Sequence, residues 1–151
     1  MSLIAGILHP ANVVADMDAD NKRGLLERIG VLFENSTRLS RTKVFDSLLA
    51  REKLGSTAMG HGIAIPHGRM KGLREAAGAF VRLKTPIPFD APDDMPVALI
   101  FALLVPEQAN EVHLLLLGEL AELLSDQTMR GKLLRLPDAT EIHRMLICWP
   151  A

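Results

Sequence analysis

The sequence predicts an α/β sandwich, a mixed β-sheet flanked by helices, organised as one domain over residues 1–151. Three observations lead there. The run VALIFALLV, Val97 to Val105, is apolar throughout and bracketed by Pro96 and Pro106, as expected of a strand buried on both faces at the centre of a sheet. The segments before and after it space their apolar residues as helices do. The order is helices, then strands mingled with loops, then helices again. Hairpin-length and longer connections both occur, which calls for parallel and antiparallel pairs in one sheet and fits a doubly wound nucleotide fold less well.

The elements follow in order. A strand is expected around Val13. Asp20 stands where a cap would sit for a helix carrying Leu25, Leu26, Ile29, Leu32 and Phe33 at helical spacing. A second helix begins after Ser40, puts Val44, Phe45, Leu48 and Leu49 on one face, and runs through LLAREK until Gly55 breaks it. The stretch LGSTAMGHG, Leu54 to Gly62, reads as a loop. Ile63 to Ile65 reads as a short buried strand, and Ala76 to Leu83 as a longer one. Pro86, Pro88, Pro92 and Pro96 mark an extended connection to the central run. From Glu111, EVHLLLLGELAELL is a helix apolar on most sides, followed by a shorter one around QTMRGKLLRL. Asp138 and Glu141 have capping-box spacing for a last helix ending near Trp149. The methionines and the leucines from Leu114 onward are read as core.

Composition excludes several classes of function. With 17 basic against 18 acidic residues interspersed along the chain, there is no basic tract to neutralise a phosphate backbone. Tyrosine is absent and Trp occurs once, which leaves few stacking platforms, so nucleic acid is not an expected partner. The longest apolar run falls well short of the roughly 20 residues that span a bilayer, and the start MSLIAGILHP lacks the basic segment of a secretory signal. A single cysteine, Cys148, excludes an internal disulfide and fits a reducing compartment. These features predict a cytoplasmic protein without membrane insertion.

Two histidine-bearing patterns carry possible chemistry. GSTAMGHG, Gly55 to Gly62, has the glycine spacing of a phosphate-binding loop, but His61 replaces its lysine and Gly62 its magnesium-binding hydroxyl; it reads as a turn, not a nucleotide site. His61 and His67 are offset so that an extended strand would put them on one face, yet Gly62 and Pro66 interrupt it and no third ligand is implied. No metal is expected. His9 and His143 read as surface or core-edge residues. In GHGIAIPHGR, Gly60 to Arg69, His67 leaves a buried triplet between Pro66 and Gly68. An isolated histidine of this kind is ordinarily a core-edge residue. Here the flanking glycines leave room for another protein and a tetrahedral phosphate, with backbone N–H groups as anion donors.

The pattern E-x(6)-MG-x(2)-IAIPHG, Glu52 through Gly68, resembles the active-site signature of the fructose and mannitol class of phosphotransferase-system enzyme IIA domains. REKLGST from Arg51, FALLVP from Phe101 and VHLLLLGELAELL from Val112 are similar to the same class, in the expected order over nearly the whole chain, and most similar to its nitrogen-regulatory subgroup. The resemblance implies that His67 accepts a phosphoryl group at Nε2 from a phosphohistidine on a small HPr-like carrier, the NPr protein of the nitrogen branch. A neutral imidazole nitrogen suits that task, being nucleophilic near pH 7 and able to pass the group onward.

Further site residues follow from the same match. His113 corresponds to the family's second site histidine; a helix starting near Asn110 would put it in the first turn, where free N–H groups and the dipole favour phosphate. Its other reading is a polar residue at a helix start. Arg51 matches the active-site arginine, which holds phosphoryl oxygens, and is otherwise a solvated charge at a helix end. Thr57, Ser56 and Gly68 are further phosphate-binding candidates, and Arg69 a candidate for an acidic partner surface. Glu52 belongs to the signature, with a capping or salt-bridge role equally open.

Transfer between histidines needs no metal, nucleotide or other cofactor. The expected protein is thus a phosphotransferase acting through phosphohistidine, carrier as much as enzyme, with no small-molecule turnover of its own. It would regulate partner proteins through its phosphorylation state, and a homo-oligomer is compatible with it. One alternative is a sugar-transport enzyme IIA that hands the group to a IIB domain. Another is a regulatory binding module that carries no phosphate.

Overall fold

A computed structural model describes residues 3–108 and 110–149. A 3₁₀ turn at Ile4–Gly6 leads into strand β1 (Leu8–Met17), followed by helices α1 (Lys22–Thr37) and α2 (Arg41–Lys53). Four strands come next: β2 (Ala58–Gly60), β3 (Ile63–Ala64), β4 (His67–Met70) and β5 (Ala77–Ile87). Then come β6 (Val97–Pro106), α3 (Glu111–Ser125), α4 (Gln127–Arg135) and α5 (Ala139–Ile147).

The proline-bracketed run is the centre of the sheet, as its composition requires. The strand order is β1-β5-β6-β3-β2, with β4 also paired to β6. On one side β6 pairs antiparallel with β5; on the other it pairs parallel with β3 at Leu99 and Ile100, then with β4 from Leu103 to Pro106. β1 joins β5 in parallel, and β2 folds back antiparallel on β3. The sheet is therefore mixed and open.

Successive residues of β6 alternate between the two faces, as strand geometry dictates. Ile100, Ala102 and Leu104 pack with Leu25, Leu26, Ile29 and Phe33 of α1 and with Val44 and Leu48 of α2. Leu99, Phe101, Leu103 and Val105 pack with Leu116, Leu120, Leu123 and Leu124 of α3, Leu133 of α4, and Ile142 and Leu146 of α5. Each helix begins at a side-chain cap on its N-terminal N–H groups. Ser40, Asp126 and Asp138 accept from Lys43, Met129 and Glu141 respectively.

Four expectations need correction. The cap of α1 is Asn21, whose Oδ1 accepts from the Gly24 N–H at 2.8 Å, rather than Asp20. The stretch Leu54–Gly62 is not all loop, since Ala58–Gly60 pairs with β3; positive φ at Gly60, His61 and Gly62 makes the reversal between them. His67 starts a strand of its own, and β5 runs on to Ile87 through Pro86. Leu114 and Leu115 are not core: they are 70% and 65% exposed, as the continuous leucines of α3 cannot all face the sheet.

Candidate functional site

Close packing between β4 and α2 positions His67. The Leu103 N–H donates to the Pro66 carbonyl at 2.9 Å, and His67 lies opposite Leu103 in the parallel ladder. Gly68 is buried against α2: a Cβ there would stand 2.3 Å from Ser47 Oγ and 3.3 Å from the Ser47 backbone carbon. Ser47 Oγ donates to the Arg69 carbonyl at 2.9 Å, tying helix to strand. The half-buried His67 lines a cleft of about 790 Å³ whose other walls come from α2, the start of α3, and Leu103 and Val105 of β6.

Hydrogen bonds to the backbone fix the ring's chemistry. His67 Nδ1 is 2.8 Å from the Ile65 carbonyl. A carbonyl only accepts, so Nδ1 carries the proton; in the neutral ring the lone pair is on Nε2, which has no hydrogen-bond partner among the described residues. The ring thus keeps an uncommitted lone pair on a residue that lines the cleft.

His113 lines the same cleft in the opposite state. Its Nδ1 accepts from the Asn110 N–H at 3.0 Å, so the neutral ring bears its proton on Nε2 and presents a donor. Asn110 Oδ1 in turn accepts from the Val112 N–H at 3.0 Å, completing a reciprocal cap with histidine in the place usually held by Glu or Gln. The helix start therefore spends these N–H groups on its own cap. It also brings the side chains of His113 and Glu111 to the cleft.

Arg51, in the last turn of α2, also lines these walls, together with Ser47, Arg69, Asn110 and Glu111, and its Nη1 donates to the Gly55 carbonyl at 2.8 Å. The structure thus brings together His67, His113, Arg51, Gly68 and the exposed Arg69 around one cleft. Ser56 and Thr57 are not among its walls. Ser56 Oγ donates to the Phe89 carbonyl at 2.6 Å, and the buried Thr57 gives both its N–H and its hydroxyl to Glu52. Neither hydroxyl is available to a phosphate in this arrangement.

Glu52 forms a buried salt bridge: Oε2 is 3.0 Å from Lys22 Nζ, which also lies 4.5 Å from the centre of the Phe89 ring. His61 is exposed and away from the cleft. Its N–H donates at 2.9 Å to Asp93, and this bond, with a second from the Met95 N–H, holds the Asp93 carboxyl below its ordinary range. His143 Nε2 is 2.9 Å from the Leu8 carbonyl, a core-edge contact.

Sequence reasoning missed the apolar rim. Leu54 is 85% exposed and Leu114 70%, and both line the cleft. The signal was the leucine excess of α3, more than one buried stripe can use.

Comparison with known proteins gives the family. The family model described as the phosphoenolpyruvate-dependent sugar phosphotransferase system, EIIA 2, matches residues 6–147. The chain belongs to the phosphotransferase-system EIIA 2 family. Among its EIIA 2 relatives, the nitrogen regulatory protein of Bradyrhizobium diazoefficiens is 38% identical over 148 residues, covering 98% of this chain and 97% of the relative. That of Escherichia coli is 38% identical over 144 residues, covering 95% and 88%. The crystal structure of nitrogen regulatory protein IIA-Ntr from Neisseria meningitidis superposes with a TM-score of 0.91 at 48% identity, covering 96% of this chain and 99% of that one. The mannitol IIA of Escherichia coli, at 21% identity and a TM-score of 0.77 over 91% and 97% of the two chains, shares the fold. Among the described residues of this EIIA 2 chain, no helix is long and apolar enough to cross a membrane.

Proposed function

We propose that this chain is a one-domain enzyme IIA of the nitrogen branch, which takes a phosphoryl group from an HPr-like carrier onto His67 Nε2 and regulates cytoplasmic partners through its phosphorylation state. The observation that carries this reading is the pairing of opposite tautomers in one cleft. A bare Nε2 on His67 and an Nε2–H donor on His113 belong to residues that line the same cleft, as does Arg51.

The step is an in-line displacement. As the Nε2–P bond of His67 forms, the bond from phosphorus to the carrier's imidazole nitrogen breaks, and the electron pair leaves with that ring. Positive charge growing on the His67 ring is shared through Nδ1–H with the Ile65 carbonyl, which already accepts this bond at 2.8 Å. His113 Nε2–H and Arg51 face the phosphoryl oxygens, whose negative charge they stabilise. The Nδ1 proton stays in place throughout, so no general base is needed.

The rim favours a protein donor over a small molecule. Leu54 and Leu114 are apolar residues left in water beside the nucleophile, a pattern found at protein interfaces, and Arg69 adds a cation for an acidic group on the carrier. A phosphoryl group adds about −1.5 to −2 charges at neutral pH, by the magnitude known for phosphorylated hydroxyl residues, so partners that seat on this rim would distinguish the two states. The nitrogen branch, rather than sugar transport through a IIB domain, is supported by the nitrogen regulatory relatives at 38% identity and the IIA-Ntr structure at 48%.

Incubation of the purified protein with a phosphorylated HPr-like carrier tests the reading. The expected result is a mass gain of one phosphoryl group, acid-labile and alkali-stable, absent from His67→Ala. No gain in the folded wild-type protein would leave a binding module that carries no phosphate.

A further inference from the structure

We infer that Glu52 and Thr57 are positioning residues that hold Arg51 at the cleft, acting through the loop carbonyl of Gly55; this rests on the phosphoryl-transfer reading above. Arg51 and Glu52 are neighbours in the last turn of α2 but serve different surroundings. Arg51 lines the cleft, whereas Glu52 is 7% exposed and turned into the protein. The segment after them closes back on both.

Three sets of contacts fix that segment. The N–H groups of Leu54 and Gly55 donate at 3.1 Å to the carbonyls of Arg51 and Glu52, closing the helix end. Glu52 Oε1 accepts from the Thr57 N–H at 3.1 Å and from the Thr57 hydroxyl. Ser56 Oγ, between them, is anchored to the Phe89 carbonyl. The fixed loop presents the Gly55 carbonyl to Arg51 Nη1 at 2.8 Å. Gly55 has φ +152°, a conformation that L side chains rarely adopt, so the direction of this peptide depends on glycine as well as on the clamp.

The chemistry suits positioning better than bulk stability. A buried carboxylate needs a counter-charge, and Lys22 supplies it at 3.0 Å; such pairs are costly to desolvate and contribute little net stability over an apolar substitute. What the pair provides is direction: an ionised carboxylate that accepts two donors from one residue pins Thr57, and with it the loop that holds the guanidinium. A flexible arginine would otherwise reorganise during transfer, and misplacing a group by about 1 Å can cost about 10²-fold in rate.

The test uses the full chain and the phosphorylated HPr-like carrier. Thr57→Val removes the hydroxyl and keeps the volume, Thr57→Ser restores it, and Glu52→Gln removes the charge. The expected result is a saturating transfer rate lowered roughly tenfold to hundredfold in Thr57→Val and Glu52→Gln, with the KM for carrier little changed, and recovery in Thr57→Ser. In an Arg51→Ala background the same substitutions should have no further effect, because they act through a side chain already removed. An undiminished loss in that background overturns the inference, as does a wild-type rate in folded Thr57→Val. A second readout needs no phosphoryl transfer: the guanidinium NMR resonances of Arg51 should shift or broaden in Thr57→Val and return in Thr57→Ser. If the wild-type protein accepts no phosphoryl group, the functional reading fails alone, and unmoved Arg51 resonances would overturn the positioning role separately.

Discussion

His67 and His113 line one cleft with their protons on opposite nitrogens. His67 donates from Nδ1 to the Ile65 carbonyl at 2.8 Å, while His113 accepts at Nδ1 from the Asn110 N–H at 3.0 Å. Two residues of one type are thus made into an acceptor and a donor at Nε2 by backbone groups of opposite polarity. A second ring like His67 would have given the cleft two Nε2 lone pairs and no Nε2–H donor.

The tautomer of His113 can be separated from its capping role. His113→Gln retains an acceptor for the Asn110 N–H, since Gln is a usual partner at this position of a capping box. Thermal stability should therefore change little. The rate of His67 phosphorylation should fall by about 10²-fold, the usual cost of losing one oriented donor. His113→Ala should lose the same rate and also about 1 kcal/mol of stability through the broken cap. Unfolding midpoints and single-turnover transfer rates on both variants check this.

Arg51 should be intolerant of a lysine. The guanidinium offers several donors in a plane, so Nη1 can keep the Gly55 carbonyl while other N–H groups face phosphoryl oxygens. A lysine offers one charge centre and must choose. Arg51→Lys is expected to retain phosphorylation at a rate about tenfold below wild type, and Arg51→Ala at about 10²-fold below. A quench time course with phosphorylated carrier measures both.

Gly68→Ala should strike stability and site together. The added methyl would meet Ser47 Oγ at 2.3 Å and the Ser47 backbone carbon at 3.3 Å, so Ser47 must give up its bond to the Arg69 carbonyl or β4 must shift away from α2. Overpacking of this kind costs about 1–3 kcal/mol, visible in a denaturation curve, and carries His67 with the strand. Ser47→Gly in the same chain should restore part of the loss.

Acid should weaken the fold partly through two surface carboxylates. The Asp93 carboxyl is held below its ordinary value of 3.8 by the His61 N–H first and the Met95 N–H second. The backbone N–H of Arg41, then its side chain, holds Glu34 below 4.5. Both groups bind a proton more readily in the unfolded chain. Their stabilisation is therefore complete above those ordinary values and is lost as pH falls through the lower folded ones. Between about pH 5 and pH 2 the unfolding free energy of Asp93→Asn and Glu34→Gln should fall less steeply than that of wild type.

The fold was legible where one physical signal dominated. The proline-bracketed run Val97–Val105 could only be a central strand, and the caps Ser40 and Asp138 mark helix starts in the sequence itself. Legibility failed at β2 and β4, whose short segments have no periodicity and exist as strands only because β3 and β6 pair with them. It failed also for Leu114 and Leu115, since nothing in a run of leucines says which of them the sheet will cover.

By itself the sequence determined the family, the central strand and the identity of His67, Arg51 and His113 as residues worth bringing together, because these rest on residue type and order along the chain. Only the tertiary structure decided which groups meet. Arg51, His67 and His113 share a cleft, while Ser56 and Thr57, closer to His67 in sequence than either partner, are taken by Phe89 and Glu52. A side chain has a limited number of donors and acceptors, and which neighbour claims them is settled by packing between elements distant in the chain.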